Sequence, residues 1–466
     1  MTFLIRKLFN HINAGMRSVR SAFSGASAPQ PAPAPVVIPA PAHRIDPTRV
    51  SRYAVQVTET LARAGYHAFM VGGAVRDLLL GLTPKDFDIA TDATPPQVQK
   101  LFRRARLIGR RFQIVHVPFG REIIEVTTFR GRSGTPARVI DESVKRIWKR
   151  RRNSAHHLHA IDASGRVLRD NVWGEQHEDA ARRDFTINAM YYDPAAQTVL
   201  DYHDGITDLR ARRLRMIGDP AARYREDPVR MLRVVRFAAK LDFEIDEQTR
   251  APIRAMTALL NNVPSARLFD EVLKLLLCGH AFEGLQRLRA EGLDRCVLPS
   301  LDAALGDTQT AELVLRTLRN TDARVRADQP VSPSFVFAAL LWFDVRVHWQ
   351  RGQAAGEFPI PALYRAMDET LQLQMRHVAI QRRTGSDMKE IWGLQPRLEK
   401  RGRAALKLIA HPRFRAAYDF LRLRCESGEL DRALGDWWAA FIEGNSAQRE
   451  TLLAQSAPLQ SARKSK

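Results

Sequence analysis

Between residues 53 and 129 the spacing of apolar positions switches repeatedly between helical and strand periods. "YAVQVTETLARAGY" (53–66) places apolar residues three and four apart, the pattern of a helix with one buried face. "HAFMVGG" (67–73) is a short apolar run that ends in two glycines and predicts a strand entering a turn, and "DFDIAT" (86–91) alternates like a half-buried strand. "PPQVQKLFRRA" begins with prolines suited to a helix start, and "FQIVHVPF" and "REIIEVTTF" predict two more strands with few breakers between them. Past residue 180 the strand pattern fades. "EDPVRMLRVVRFAAKL", "RLFDEVLKLLL", "TAELVLRTLR", "ALYRAMDETLQLQMRHVAI" and "FRAAYDFLRLRCESG" predict successive amphipathic helices without a fixed repeat. The pattern gives an α+β chain: a small mixed-sheet head followed by an all-helical remainder.

At 466 residues the chain exceeds a single core, so two or three packed units are expected. Residues 24 to 43, "SGASAPQPAPAPVVIPAPAH", are rich in Pro, Ala and Ser and read as an extended linker with the fold beginning after it. Ahead of it, Phe3, Leu4, Leu8, Phe9, Ile12, Met16 and Val19 stand near helical spacing among Arg6, Lys7, Arg17 and Arg20, as in a basic amphipathic segment. Residues 131 to 165, with "KRIWKRRRNSAHHLHA", carry a basic run without period and read as a loop; their histidines lack metal-ligand spacing.

Charge narrows the class. Lys and Arg number 72 against 51 Asp and Glu, a net +21 that attracts polyanions, chiefly nucleic acid. Cys278, Cys296 and Cys425 are widely spaced and form no CxxC, which excludes a zinc ribbon and fits a reducing, cytoplasmic compartment. No stretch is long and apolar enough to span a bilayer, so no stable membrane insertion is expected.

Against that excess of positive charge, Asp86 and Asp88 are one residue apart in a strand pattern, which points both side chains to one face while Phe87 and Ile89 bury on the other. Two such carboxylates repel unless a proton or a cation lies between them, and an oxygen-ligand set of this kind suits Mg²⁺. Gly72 and Gly73, at a strand-to-helix turn, let backbone approach a phosphate closely.

The arrangement apolar-Gly-Gly, a short spacer, then Asp-apolar-Asp-apolar resembles the signature of the DNA polymerase β nucleotidyltransferase superfamily. "RRDFTINAMYYD" (182–193) and "REDPVRMLRVVRFAAKLDF" (225–243) resemble motifs of its class II group, which holds the bacterial poly(A) polymerases and the CCA-adding enzymes. "RLIGRRFQIVHVPFG" (106–120), "DNVWG", "PSARLFDEVLKLL" (264–276) and "HPRFRAAYDFLRLR" (411–424) are similar to stretches of the bacterial poly(A) polymerase branch, so the resemblance covers most of residues 43 to 440. It implies a glycine turn that holds the nucleotide triphosphate, two Mg²⁺ ions on Asp86 and Asp88, and Arg76 and Asp77 near triphosphate and sugar. It places Asp184, flanked by Arg183 and Asn188, at the ribose and phosphates and in the acidic site. Glu125, on the strand "IIEVTTF", is the other candidate for a third carboxylate, and Asp184 is favoured over it. The implied division is a basic segment and linker to residue 45, a catalytic head at 46–215, a helical neck at 216–278 for nucleobase selection, and a helical body and tail at 279–455.

Asp227 and Arg230 are three apart in a helical pattern, hence neighbours on one face. A carboxylate acceptor beside a guanidinium donor matches an exocyclic amine next to an unprotonated ring nitrogen, the edge shown by adenine and cytosine but inverted in guanine and uracil. Arg233 and Arg236 continue the interval and suit a triphosphate or RNA. The expected activity is template-independent addition of AMP from ATP to RNA 3′ ends, in RNA processing and turnover, with RNA, ATP and the RNA-decay machinery as partners. CCA addition to tRNA is the nearer rival, and a non-catalytic RNA-binding protein the more distant one.

Overall fold

Ser51 marks the start of the first long helix: its hydroxyl accepts hydrogen bonds from the amides of Tyr53 and Ala54 at 3.2 and 3.4 Å, and α1 (Arg52–Arg63) follows. The structure, a computed structural model, describes residues 33–109, 113–131, 159–161, 167–170 and 173–461. The amphipathic segment, the first part of the linker and most of the 131–165 loop lie outside the described residues. Ala54, Val57, Thr58 and Leu61 form the buried stripe of α1, as the sequence spacing predicts.

The head is built on one sheet. Its strands are β1 (Val36–Pro39), β2 (Ala68–Val71), β3 (Asp88–Thr91), β4 (Arg106–Ile108), β5 (Ile114–Phe119), β6 (Glu122–Thr128), β7 (Met190–Asp193) and β8 (Thr198–Asp201), in the spatial order β1-β8-β7-β2-β3-β6-β5-β4. Only the β3–β6 pair within this sheet is parallel, with Asp88 opposite Glu125. Between strands lie α2 (Gly73–Leu79), which starts at the glycine turn, and α3 (Pro95–Leu101), whose Thr94 and Gln97 close a capping box.

Four expectations need correction. The linker ends earlier than residue 43: Val36–Pro39 pairs antiparallel with β8, and buried His43 holds Nε2 2.9 Å from the Gln197 carbonyl and stands edge-on to Tyr192. Proline is tolerated there because β1 is an edge strand whose outward amides need no partner. The "DFDIAT" strand starts only at Asp88, leaving Asp86 in the preceding loop. Strands do not stop at residue 180, since Met190–Asp193 and Thr198–Asp201 form a hairpin that completes the sheet. Near the end of the 131–165 loop, His159–Ile161 pairs with Val167–Asp170 just beyond it.

α4 (Gln176–Arg182) leads into β7 within the head; the helical part that follows includes α5 (Pro220–Glu226), α6 (Val229–Leu241) and α7 (Ser265–Leu276), with further helices to Ser461. One apolar core runs from Met70, Ile89 and Val126 under the sheet, through Phe185, Val235 and Phe237, to Leu285, Phe337 and Trp392. It crosses residues 215 and 278 without a gap, so head, neck and body are packed together rather than strung on linkers. The opposite sheet face carries a smaller cluster of Phe69, Val71, Ala90, Phe129, Ala180 and Tyr191, and on this face the acidic residues are found.

Candidate active site

β2 delivers the chain to Gly72, whose φ of 72° and ψ of −135° form a conformation that side-chain-bearing residues avoid. A Cβ there would lie 3.5 Å from Arg183 Nη1 and 3.7 Å from Asp88 Oδ2. These are ordinary contact distances, so it is the left-handed backbone rather than crowding that calls for glycine, and the turn passes beside the β3 carboxylate. Gly73 opens α2 against the Arg76 guanidinium.

Asp88 is set by pairing on both sides: Val71 of β2 on one, Glu125 of β6 on the other. Paired residues share a sheet face, so Asp88 and Glu125 are side by side. Burial, then the Glu125 charge and the Asp86 charge push the Asp88 carboxyl up to about 6, with Arg183 opposing them. No side chain among the described residues pairs with Asp88 directly. Glu125 in turn lies 3.3 Å from His116 Nε2 of β5. Asp86, exposed in its loop, still bears on Asp88 through its charge. The described residues hold no assembled group of three His, Cys, Asp or Glu at metal-holding distances. The donor set nevertheless fits a hard divalent cation: carboxylate oxygens, with the charges of Glu125 and Asp86 acting on half-buried Asp88 against that of Arg183.

Asp184 has partners of its own. Burial would raise its pKa, but Arg233, Asn188 and the Phe185 amide outweigh that and hold it down at about 2. Its Oδ2 accepts Nε and Nη2 of Arg233 at 2.8 and 2.5 Å, and its Oδ1 accepts Nδ2 of Asn188 at 3.2 Å. The carboxylate paired in register with Asp88 is Glu125, whereas the favoured third acidic residue, Asp184, has its oxygens engaged by Arg233 and Asn188. Sequence carried that signal only as a Glu on a neighbouring strand; the parallel β3–β6 register that makes it adjacent is tertiary.

The other expected residues form a continuous polar chain. Arg76, 2% exposed, donates to both Asp77 Oδ1 and Asn188 Oδ1, at 2.6 to 2.8 Å. Arg183 spans Asp179 at 3.0 Å and the Tyr191 hydroxyl at 3.3 Å, and its guanidinium lies 5.2 Å from the Tyr191 ring centre. Arg223, missed by sequence reading, donates Nη2 to the carbonyls of Arg182 and Arg183 at 2.6 Å each and so pins this turn to the neck. Arg233 and Arg236 both reach Glu271 of α7, at 3.8 and 3.2 Å, and with Arg76 surround the Phe237 ring at 5.3, 4.3 and 5.2 Å.

Asp227 and Arg230 do not share a helix as the spacing implied. Asp227 lies in the break between α5 and α6, where Pro228 interrupts the helical hydrogen bonding. Its carboxylate takes a two-pronged bond from Arg267 of α7, at 3.1 and 2.9 Å, while Arg230 pairs with Glu226 at 2.9 Å. Acceptor and donor remain neighbours, since the Arg230 amide bonds the Asp227 carbonyl at 3.0 Å, but each is held by a partner that the three-residue spacing did not show.

Comparison with known proteins agrees with this layout. The family described as the poly A polymerase head domain matches residues 68–215, a probable RNA-binding and SrmB-binding segment of polymerase A matches 242–305, and the polymerase A arginine-rich C-terminus matches 355–466. Poly(A) polymerase I of Salmonella typhi is 44% identical over 425 residues, covering 90% of this chain and 88% of that protein. The CCA-adding enzyme of Lactobacillus helveticus is 35% identical over 233 residues, covering 50% of this chain and 52% of that protein. Among solved structures, the Bacillus stearothermophilus CCA-adding enzyme in complex with CTP aligns with a TM-score of 0.53 at 26% identity, covering 82% of this chain and 80% of that one. Likeness to CCA-adding enzymes is thus shared fold and half a sequence, whereas likeness to poly(A) polymerases runs nearly end to end, and the chain belongs to the poly(A) polymerase I family of nucleotidyltransferases.

Proposed function

We propose that this chain adds AMP from ATP repeatedly to RNA 3′ ends without a template, the 3′-hydroxyl attacking the α-phosphate and pyrophosphate leaving. The observation that carries the reading is Asp88, half-buried beside Glu125 and against the Gly72 turn, with its negative charge offset only in part by Arg183 among the described residues. Family membership implies a nucleotide substrate and a divalent metal; ATP and two Mg²⁺ ions are our finer assignment. Asp86 and Asp88 would hold the metal, which when bound lowers the pKa of an attacking hydroxyl and neutralises charge on the leaving pyrophosphate.

The chain's own residues bind and orient. The Gly72–Gly73 turn gives a triphosphate room beside Asp88, with Arg183 Nη1 on its other side. Arg76, Asn188, Asp184 and Arg233 then act as a positioning chain from the turn to α6, because each is engaged by the next. Asp227 and Arg230 present the acceptor and donor for the adenine edge, steadied by Arg267 and Glu226. We keep the division into head (46–215), neck (216–278) and body with tail (279–455), amended so that the head also takes in β1. The excess positive charge suits RNA phosphates, and no described helix is long and apolar enough to cross a membrane. A cytoplasmic site of action and contact with RNA-decay machinery complete the reading.

The test is incubation of the purified protein with an RNA primer and either ATP alone or CTP plus ATP. Long A tails from ATP alone are expected. A product that stops after a few nucleotides and requires CTP would overturn the reading in favour of CCA addition.

A further inference from the structure

The β-sheet registers line up four residues in one row across the open face: Asp88 opposite Glu125, Glu125 opposite His116, and His116 opposite Arg106. Cross-strand partners share a face. The 3.3 Å approach of His116 to Glu125 shows that face directly. With neighbouring strands ~4.8 Å apart, Arg106 lies about 14 Å from Asp88, a distance spanned by a few nucleotides of single strand.

Arg106 has company. It opens β4, the outer strand of the sheet, all three residues of which are exposed. Arg103 and Arg104 stand exposed in the turn before it, and with Ala105, Arg106, Pro118 and Gly120 they line a cleft of about 590 Å³. In a chain where most central arginines are spent on Asp, Glu or backbone carbonyls, none of these three guanidiniums has a hydrogen-bond or ion-pair partner among the described residues. The parallel pairing of β3 with β6 sets this cleft toward the Asp86 end of β3, the end that opens at the Gly72 turn. Charge on an edge strand also deters sheet-to-sheet association. That role alone would not call for a cleft, nor for three cations gathered at the end of a row that leads to the carboxylates of Asp88 and Glu125.

We propose that Arg103, Arg104 and Arg106 form a phosphate-binding site for the RNA primer, gripping its backbone a few nucleotides upstream of the 3′ end as the strand crosses the sheet from Asp88. The proposal deepens the adenylyltransferase reading and rests on it. Contacts of this kind read phosphates, not bases, so the site is indifferent to sequence and sensitive to salt.

The experiment compares the full chain with the triple variant Arg103→Glu, Arg104→Glu, Arg106→Glu, and with the triple Gln variant should the first fail to fold by circular dichroism. Fluorescence anisotropy without ATP gives the affinity for oligo(A) of roughly 15 nucleotides, a length ample for the site. AMP incorporation is then measured on that primer and on diadenylate, which is too short to reach the cleft. Expected for the variant are an affinity for the long primer down by about tenfold, a log-log salt slope shallower by about 2 for three lost single-strand contacts, and unchanged kcat, ATP KM and diadenylate extension. Wild-type affinity and salt slope in the variant overturn the site, as does an equal loss on both primers. Loss of binding to a polyglutamate peptide with RNA affinity intact also overturns it, because the cleft then serves an acidic protein. Failure of the wild type to extend primers with ATP sinks the adenylyltransferase reading instead, while the binding data still judge the site.

Discussion

Arg233 of α6 grips Asp184 of the turn after α4 with two nitrogens, at 2.8 and 2.5 Å, and the same guanidinium lies 3.8 Å from Glu271 of α7. A residue of the neck thereby closes the polar chain that starts at Arg76, and links head to neck around the proposed nucleotide site. Breaking such a pair leaves a charge buried without its partner.

Arg233→Met should therefore lower stability by roughly 3 kcal/mol, read as a drop in melting temperature at neutral pH. The pH sign follows from the depressed Asp184 pKa. The pair's contribution is complete above the ordinary 3.8 and is lost as pH falls toward about 2, so wild type and variant should converge across that window. A difference in melting temperature that stays constant down to pH 2 would show that the ion pair is not its source.

Asp88 works in the opposite sense. Its folded-state pKa of about 6 stands above 3.8, so the native protein keeps a proton that the unfolded chain releases, and metal-free stability falls as pH rises through this range. Asp88→Asn should raise the melting temperature of the metal-free protein at pH 7, a gain of about 2 kcal/mol. Added Mg²⁺ should raise the melting temperature of wild type but not of the variant, and the wild-type effect should weaken below pH 6 as the proton competes. Equal Mg²⁺ stabilisation of both proteins would remove Asp88 from the metal site.

Gly72 has a backbone geometry that alanine adopts only with strain. Gly72→Ala should cost about 2 kcal/mol of stability. It should also raise the KM for ATP, because the methyl group projects toward Arg183 and Asp88. Titration calorimetry with a non-hydrolysable ATP analogue checks this, and undiminished affinity would count against the turn as the triphosphate seat.

Arg267 holds Asp227 from α7 through two bonds. Arg267→Met should release that carboxylate and cut the preference for ATP over GTP by about tenfold, on the scale of one charged hydrogen bond. Competition assays with paired nucleotides give the ratio. An unchanged ratio accompanied by a lower melting temperature would mean that the pair only braces α6 against α7.

The chain's local patterns were enough to define the glycine turn, the Asp-x-Asp pair, the arginine-rich helix and the division into a mixed head and helical remainder. Each depends on residues close in sequence, where period and spacing act directly. Pairing and long-range charge decided the rest. Val36–Pro39 resembles linker by composition and becomes a strand because β8 offers it a partner. Asp184 and Glu125 look alike as single acidic residues in motifs; only the fold sets Arg233 on one and Asp88 beside the other. Asp227 and Arg230 share a spacing that fits a single helix, yet Pro228 breaks that helix and Arg267, 40 residues on, holds the acid. Spacing along a chain fixes which side chains can share a face, but the partners that neutralise a charge arrive from distant segments and are chosen when the core closes.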